Sequence, residues 1–547
     1  MSRVSKIEPT SSYPPETTAD ELNHLAHIIK DWSIGNGLAV RTPPTVIASE
    51  ADPTGITAVP APVTLFPSGF PRQAFLQGQK AQQAYNDLYA AVSRDEKFLA
   101  DVVKQVIDGD DFVRDLWAVH ETVKSEGYTQ IFLTLDKPLS LGLFRSDYMV
   151  HEDKSSSPPT HQAKQVEFNT IASSFGGLSV YASKLHNFLA KTEYPLLEQS
   201  LAPEVLELPE NNAIEGLAGG LEAAYHAYGD SELGHDKCVI FLVQGGERNV
   251  FDQRHLEYQI GKATPTIPVF RLPFADIMEN TSIAANPKRQ LLYTHPRNPN
   301  KVFEVAVIYM RAGYGPGDYP NQQAWDARCH LERSHAIKCP TVLTQVAGIK
   351  KVQQVLATPR PSSEPSILSK FIKDDTPSAI ALWNTFTNIY PMDTSDVGLE
   401  ARKKALDPEQ CVDYVLKPQR EGGGNNIYGS AIPEFLKTVP EGHWNSYILM
   451  ELIKPPPLKN FILRNGNIEK GRVISELGVY GTCLWNQTTS EVLRNEQAGW
   501  LLRTKGEESE EGGVAAGYGC MDSVSLTYSP VDFEELDAEA AAKAQGA

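Results

Sequence analysis

Apolar runs of strand length alternate with helical patterns along most of this 547-residue chain, and that alternation sets the fold class. Ile131–Leu135, Val166–Asn169, Val239–Val243 and Val305–Met310 read as strands, and Ala218–Tyr228 reads as a helix among them. An α/β architecture follows. Upstream, Thr18 and Glu21 form a capping-box pattern, followed by Leu22, Leu25, Ile29 and Trp32 at helical spacing until Gly35 stops the helix. Thr42–Pro71 is crowded with prolines, which favours extended segments and turns, whereas Ala81–Val106 returns to helical periodicity. Serine and proline mark expected insertions at Ser155–Gln162 and Pro359–Pro365. Residues 1–17 are expected to be a loose tail, and Asp532–Ala547 a helix or a frayed end.

Composition removes several function classes. Fifty basic against 68 acidic side chains, a net charge of −18, argue against a general nucleic-acid binder, which needs cations to displace counterions. Ten acidic residues against one lysine lie in Gly506–Ala547, so half of that deficit sits in one terminal segment and local cationic sites elsewhere remain. No stretch approaches the ~18 apolar residues of a membrane span. Met1–Pro9 has no apolar signal core, and six scattered cysteines without a CxxC pair read as reduced usage, so a cytoplasmic location is expected. Cys329, His330, His335 and Cys339 are not read as a zinc site, because neighbours on a helix point apart and Pro340 ends the segment.

The chemistry concentrates in a few short segments. Val412–Leu416 reads as a strand that delivers Lys417, Arg420, Glu421 and three glycines. Glycines let backbone N–H groups wrap a phosphate while the lysine supplies a point charge; an ordinary glycine-rich hairpin is the alternative. Neither a Walker loop nor GxGxxG is present, so a nucleotide here would bind between strands. Alternation in Gln165–Asn169 puts Glu167 and Asn169 on one strand face, a pair of oxygen ligands suited to magnesium, although half-exposed strands alternate routinely. Glu476 interrupts an apolar strand and is expected to face solvent or to pair with a cation. Arg503 and Lys505 share one side of an extended segment ahead of Glu507–Glu511 and Gly512–Gly517, which reads as a mobile flap or a plain acidic loop. Glu247–Arg254, Arg311–Tyr314 and Arg145 each follow a predicted strand, where α/β proteins place ligands. With no GxSxG and no HExxH, the residues point to a magnesium–nucleotide enzyme acting on a polar anionic substrate.

Taken together, LGLFRSDYM, VEFNTIASSFGGL, ERNVFDQR, RAGY, LERSHAIKCP, KKVQQ, LKPQREGGGNN, ISELG, LLRTK and GGVAAG make the chain resemble eukaryotic glutathione synthetases from about Leu141 to Gly517. The resemblance implies an ATP-grasp-like fold with permuted connectivity and a homodimer. It further implies a catalytic region over 18–233 and 349–547, a lid at about 390–470, a flap at about 505–520 and an inserted α/β substrate-binding domain at 234–348. Glu167, Asn169 and Glu421 would hold Mg²⁺. Glu167, Lys350, Lys417, Pro418, Gln419, Arg420 and Glu421 would line the ATP site. The loop Gly422, Gly423, Gly424, Asn425 and Asn426 would join them, with Tyr428, Met450, Glu451, Leu452, Ile453, Glu476, Lys505 and Glu511. Arg145, Ile171, Ala172, Ser173, Ser174, Glu247, Arg248, Asn249 and Gln253 would contact peptide substrate or product. So would Arg311, Ala312, Gly313, Tyr314, Arg503, Val514 and Ala515.

The implied reaction ligates γ-glutamylcysteine to glycine through an acyl phosphate, giving glutathione, ADP and phosphate, with Arg145, Lys417 and Arg503 catalytic. Ala172 stands where many relatives have serine, and Leu452 where some have lysine. A related ligase using β-alanine or serine, and a nucleotide-binding regulator without turnover, are the competing readings.

Overall fold

The computed structural model describes residues 13–48, 50–127, 138–153, 160–358, 365–421, 424–456, 458–507, 509 and 519–528. The expected strand Ile131–Leu135, most of both insertions, most of the flap and the acidic tail lie outside these residues. So do Gly422, Gly423, Glu511, Val514 and Ala515.

The capping box forms as its spacing predicts. Thr18 accepts the Glu21 N–H at 3.3 Å, and the Glu21 carboxylate accepts the Thr18 N–H at 2.7 Å, opening the helix Ala19–Asn36. Gly35 lies inside that helix; the stop is Gly37, whose φ of 75° is the left-handed turn that closes a helix and that glycine adopts without strain. The periodicity at Ala81–Val106 belongs to two helices, Arg72–Arg94 and Glu96–Val103, the second capped by Asp95 accepting the Phe98 N–H at 3.0 Å. The proline-rich stretch gives only short strands, Ala58–Pro60, Val63–Thr64 and Ser68–Pro71.

Three sheets organise the rest. The largest runs in the order Leu458–Arg464, Val63–Thr64, Cys520–Asp522, Val492–Gly506, Asn467–Asn486, Leu139–Asp153, Thr160–Asn169. Leu458–Arg464 also pairs with Asn467–Asn486, so five of its strands close into a ring. The strand Leu458–Arg464 falls in the expected lid range, yet it belongs to this sheet.

A six-stranded sheet is built on parallel strands Val269–Pro273, Asp236–Val243, Val302–Met310 and Ile337–Cys339, with an antiparallel edge of Leu291–Thr294 and Thr281–Ile283. The third sheet pairs Ile389–Pro391, Ile448–Glu451, Tyr414–Lys417 and Ile427–Tyr428 antiparallel. The helix Arg72–Arg94 covers one face of the large sheet, where Phe168, 1% exposed, stacks on Tyr89 at 3.9 Å and Tyr85 at 5.5 Å between ring centres. Burying Phe168 there turns its neighbours Glu167 and Asn169 to the opposite face. No described helix is long and apolar enough to cross a membrane.

Candidate active site

Residues opposite one another in a sheet share a face, and the register of the large sheet gathers charge onto one of them. Asp147 faces Glu167 and Gly478, Arg145 faces Asn169 and Tyr480, and Glu476 faces Arg503. Period-2 alternation adds Lys505 to this face. The charged face forms one wall of a cavity of about 470 Å³, a size that suits small-molecule ligands. The other walls come from the four-stranded sheet, through Lys417, Tyr428 and Met450, and from Glu247, Asn249, Arg311 and Tyr314. These last follow the C-terminal ends of the parallel strands Asp236–Val243 and Val302–Met310, as the strand-end reading predicts.

Lys350 opens the helix Lys350–Ala357, and its Nζ lies 3.0 Å from Glu167 and 3.0 Å from Glu421. Burial acts to raise Glu167, but Lys350, Lys417 and Arg503 outweigh it and hold the carboxyl below the usual carboxylate range. Burial pushes Glu421 up, against Lys350 and with the help of Glu167. One ammonium thus serves two carboxylates of unequal basicity. A bulge in the pairing of Thr160–Asn169 with Leu139–Asp153 leaves Val166 without a cross-strand partner, and its carbonyl accepts Lys417 Nζ at 3.0 Å.

The substrate-side residues are held through backbone. Arg311 donates to Ser173 O at 2.9 Å and to Ser174 Oγ at 2.7 Å, while Arg145 and Tyr480 both donate to Ser174 O, at 3.1 and 2.6 Å. Ala172 and Phe175 take φ of 51° and 74°, conformations that cost a non-glycine residue of order 1 kcal/mol or more, and both line the cavity. Asp252 braces the end of this segment, accepting the N–H groups of Phe175 at 2.8 Å and Gly177 at 2.7 Å.

The cavity brings together Ile171, Asn425, Asn426, Glu451, Leu452 and Ile453 with the groups above. Several expected ligand residues stand behind it instead. Gln419 is 4% exposed and clasps two distant segments, accepting the Lys351 N–H at 2.8 Å and donating to Ser446 O at 2.9 Å. Arg420 reaches the cavity but ties its guanidinium to Asp110. Gln253 donates to Glu247 at 2.9 Å, Arg248 to Arg41 O at 3.3 Å, and Gly313 accepts Gln345 Nε2 at 2.8 Å. Pro418, Ala312 and Gly424 are likewise absent from the lining. The Leu452 N–H is taken by Asp413 O at 2.8 Å. Asp147 is the residue that sequence reasoning passed over; its signal was a carboxylate two positions after Arg145 inside an apolar strand.

Among the described residues no group of three or more His, Cys, Asp or Glu is placed to hold a metal. The expected trio has two carboxylates and an amide. Asn169 Nδ2 donates to Asp147 at 3.0 Å, which assigns the amide and leaves Oδ1 as a lone oxygen acceptor on the cavity wall. Together with Glu167 and Glu421 this oxygen set fits Mg²⁺, which takes one or two carboxylates and completes its shell with water and substrate phosphate.

A family model described as eukaryotic glutathione synthase, ATP binding domain, matches residues 19–526. The chain is 38% identical over 521 residues to the glutathione synthetase large chain of Schizosaccharomyces pombe, covering 93% of this chain and 99% of that protein. It is 37% identical over 506 residues to glutathione synthetase of Homo sapiens, covering 92% and 96%. Among solved structures, a glutathione synthetase-like effector from Globodera pallida superposes with a TM-score of 0.68 at 21% identity, covering 94% of this chain and all of that one, a likeness of fold.

Proposed function

Since the chain belongs to the eukaryotic glutathione synthase family, we propose that the cavity is where γ-glutamylcysteine, glycine and ATP meet, and that its residues divide the work as follows. The chain carries out ATP-dependent glutathione synthesis. The observation that carries the assignment to this cavity is Lys350 held at 3.0 Å from both Glu167 and Glu421, in the cavity that Lys417, Arg145 and Arg503 also line.

Glu167, Asn169 and Glu421 would hold Mg²⁺, which when bound neutralises phosphate charge and orients the transferred group. Lys350 and Lys417 add positive charge on the nucleotide side, and Tyr428, Met450, Leu452 and Ile453 supply an apolar lining for the base. The substrate carboxylate attacks the γ-phosphate; no side-chain nucleophile is needed, so the protein's work is alignment and electrostatic stabilisation. Glycine's amine then attacks the acyl phosphate, with Arg145 or Arg503 facing the developing oxyanion. Water would destroy the acyl phosphate, so the ligation needs a site shielded from bulk solvent. The cavity's position between the four-stranded antiparallel sheet and the large, mostly antiparallel sheet supports an ATP-grasp-like architecture, and the family resemblance adds permuted connectivity and residues 234–348 as the substrate-binding insertion. A homodimer in the cytoplasm completes the reading on family resemblance, and light scattering on the purified chain tests the dimer.

The deciding assay is ADP release with γ-glutamylcysteine alone, with glycine, and with β-alanine or serine. We expect release that depends on both peptide and glycine. No turnover with any amine would refute ligation, and preference for the bulkier amine would reassign the acceptor.

A further inference from the structure

Four hydrogen bonds converge on a carboxylate that the substrates cannot reach. Asp147 is 0% exposed and absent from the cavity lining, whereas its partners line it. Arg145 grips it with two bonds, Nε to Oδ1 at 2.6 Å and Nη2 to Oδ2 at 2.8 Å. Arg503 Nη2 and Asn169 Nδ2 add bonds to Oδ2 at 3.1 and 3.0 Å. Arg503 also pairs with Glu476 through Nη2, and its Nε and Nη1 have no hydrogen-bond partner among the described residues.

The opposite strand is shaped around this cluster. Gly478 faces Asp147 in the register, and a Cβ there would lie 2.8 Å from Arg145 Cδ and 2.9 Å from Asp147 Oδ1. A fully buried ion costs several kcal/mol of desolvation, and well-packed apolar groups often serve stability as well as a buried ion pair does. Stability alone therefore gives a weak reason for Asp147. Two guanidiniums of like charge, on strands that flank Asn467–Asn486 on either side, have by contrast a strong tendency to turn apart unless an anion fixes both.

We propose that Asp147 is a positioning residue for ligation: it locks Arg145 and Arg503 in register on the cavity wall, where they meet the acid substrate. The inference rests on the ligase reading above. Asp147 acts only through these arginines, since it does not line the cavity.

The test is D147N in the full chain, with initial rates measured across ranges of γ-glutamylcysteine and of ATP and folding checked by circular dichroism. Asparagine keeps the shape but turns a donor toward groups that are already donors. Misplacing aligned groups by about 1 Å costs on the order of 100-fold, so kcat/KM for γ-glutamylcysteine is expected to fall by about that factor while the KM for ATP holds. A folded D147N with parental kcat/KM overturns the proposal, and so does a KM for ATP raised by as large a factor, which would mark a structural role. Should D147N fail to fold, G478A decides: it keeps every charge but displaces the pair. The same one-sided loss supports positioning, and parental kinetics refute it. The parent is assayed first, and its inability to ligate would fell the functional reading rather than this one.

Discussion

Replacing Lys350 with methionine tests whether its ammonium is what lets Glu167 and Glu421 share a buried site. The substitution keeps most of the side-chain volume and removes the charge that lies 3.0 Å from each carboxylate. At an effective dielectric near 20, each contact at that distance is worth on the order of 5 kcal/mol, much of it offset by desolvation. Breaking a buried pair by removing one partner typically costs about 3–5 kcal/mol. The two carboxylates keep 23% and 21% of their side-chain surface, so the lower end, about 3 kcal/mol, is the expectation. Unfolding in urea, followed by tryptophan fluorescence with EDTA and then with excess Mg²⁺, measures it. Stability should drop in EDTA and be partly restored by Mg²⁺, because a cation that binds only the folded site stabilises it by mass action. A variant as stable as the parent in EDTA would refute the clamp.

Two other outcomes are expected. Glu421→Ala should abolish ADP release with the circular dichroism spectrum intact; near-normal turnover would mean that the loop does not hold the metal. His186 is fully buried, its Nε2 2.9 Å from Thr64 O and its Nδ1 2.7 Å from Ser523 Oγ, so the carbonyl fixes a neutral ring protonated on Nε2. Burial lowers its pKa to about 4, outweighing the Thr64 carbonyl, which acts to raise it. With the folded value depressed below the unfolded 6.5, the stabilising difference is complete above pH 6.5 and is lost as pH falls toward 4. The loss reaches about 3 kcal/mol. Denaturation at pH 7.5 and pH 5 should therefore show a parental loss that His186→Gln lacks, and parallel pH profiles would refute it.

Much of the charged wall of the cavity was legible in the sequence because a strand has a period of two. Glu167 with Asn169 and Arg503 with Lys505 needed only that rule, and the cation expected beside Glu476 is Arg503. Asp147 obeys the same rule relative to Arg145, but its second guanidinium, Arg503, lies 356 positions away and leaves no local signature. Gln419 was beyond such reasoning. Its clasp joins Lys351 and Ser446, 68 and 27 positions away, and chain-distant backbone partners leave no local signature. Gly35 and Gly37 are both plausible stops by composition, and the difference between them is a backbone angle.

The shared face of the large sheet makes its strands intolerant of a particular kind of mutation. Arg145, Asp147, Glu167, Asn169, Glu476 and Arg503 come from two antiparallel strand pairs far apart in the chain, Leu139–Asp153 with Thr160–Asn169 and Asn467–Asn486 with Val492–Gly506, and each strand alternates them with core residues such as Phe144, Phe168 and Leu477. Deleting one residue within any of these strands would exchange the two sides, placing charges against Tyr85 and Tyr89 and aromatic rings in the cavity. Changes of length are thus channelled into the connections between strands, while the strands themselves accept substitution but not a frame slip.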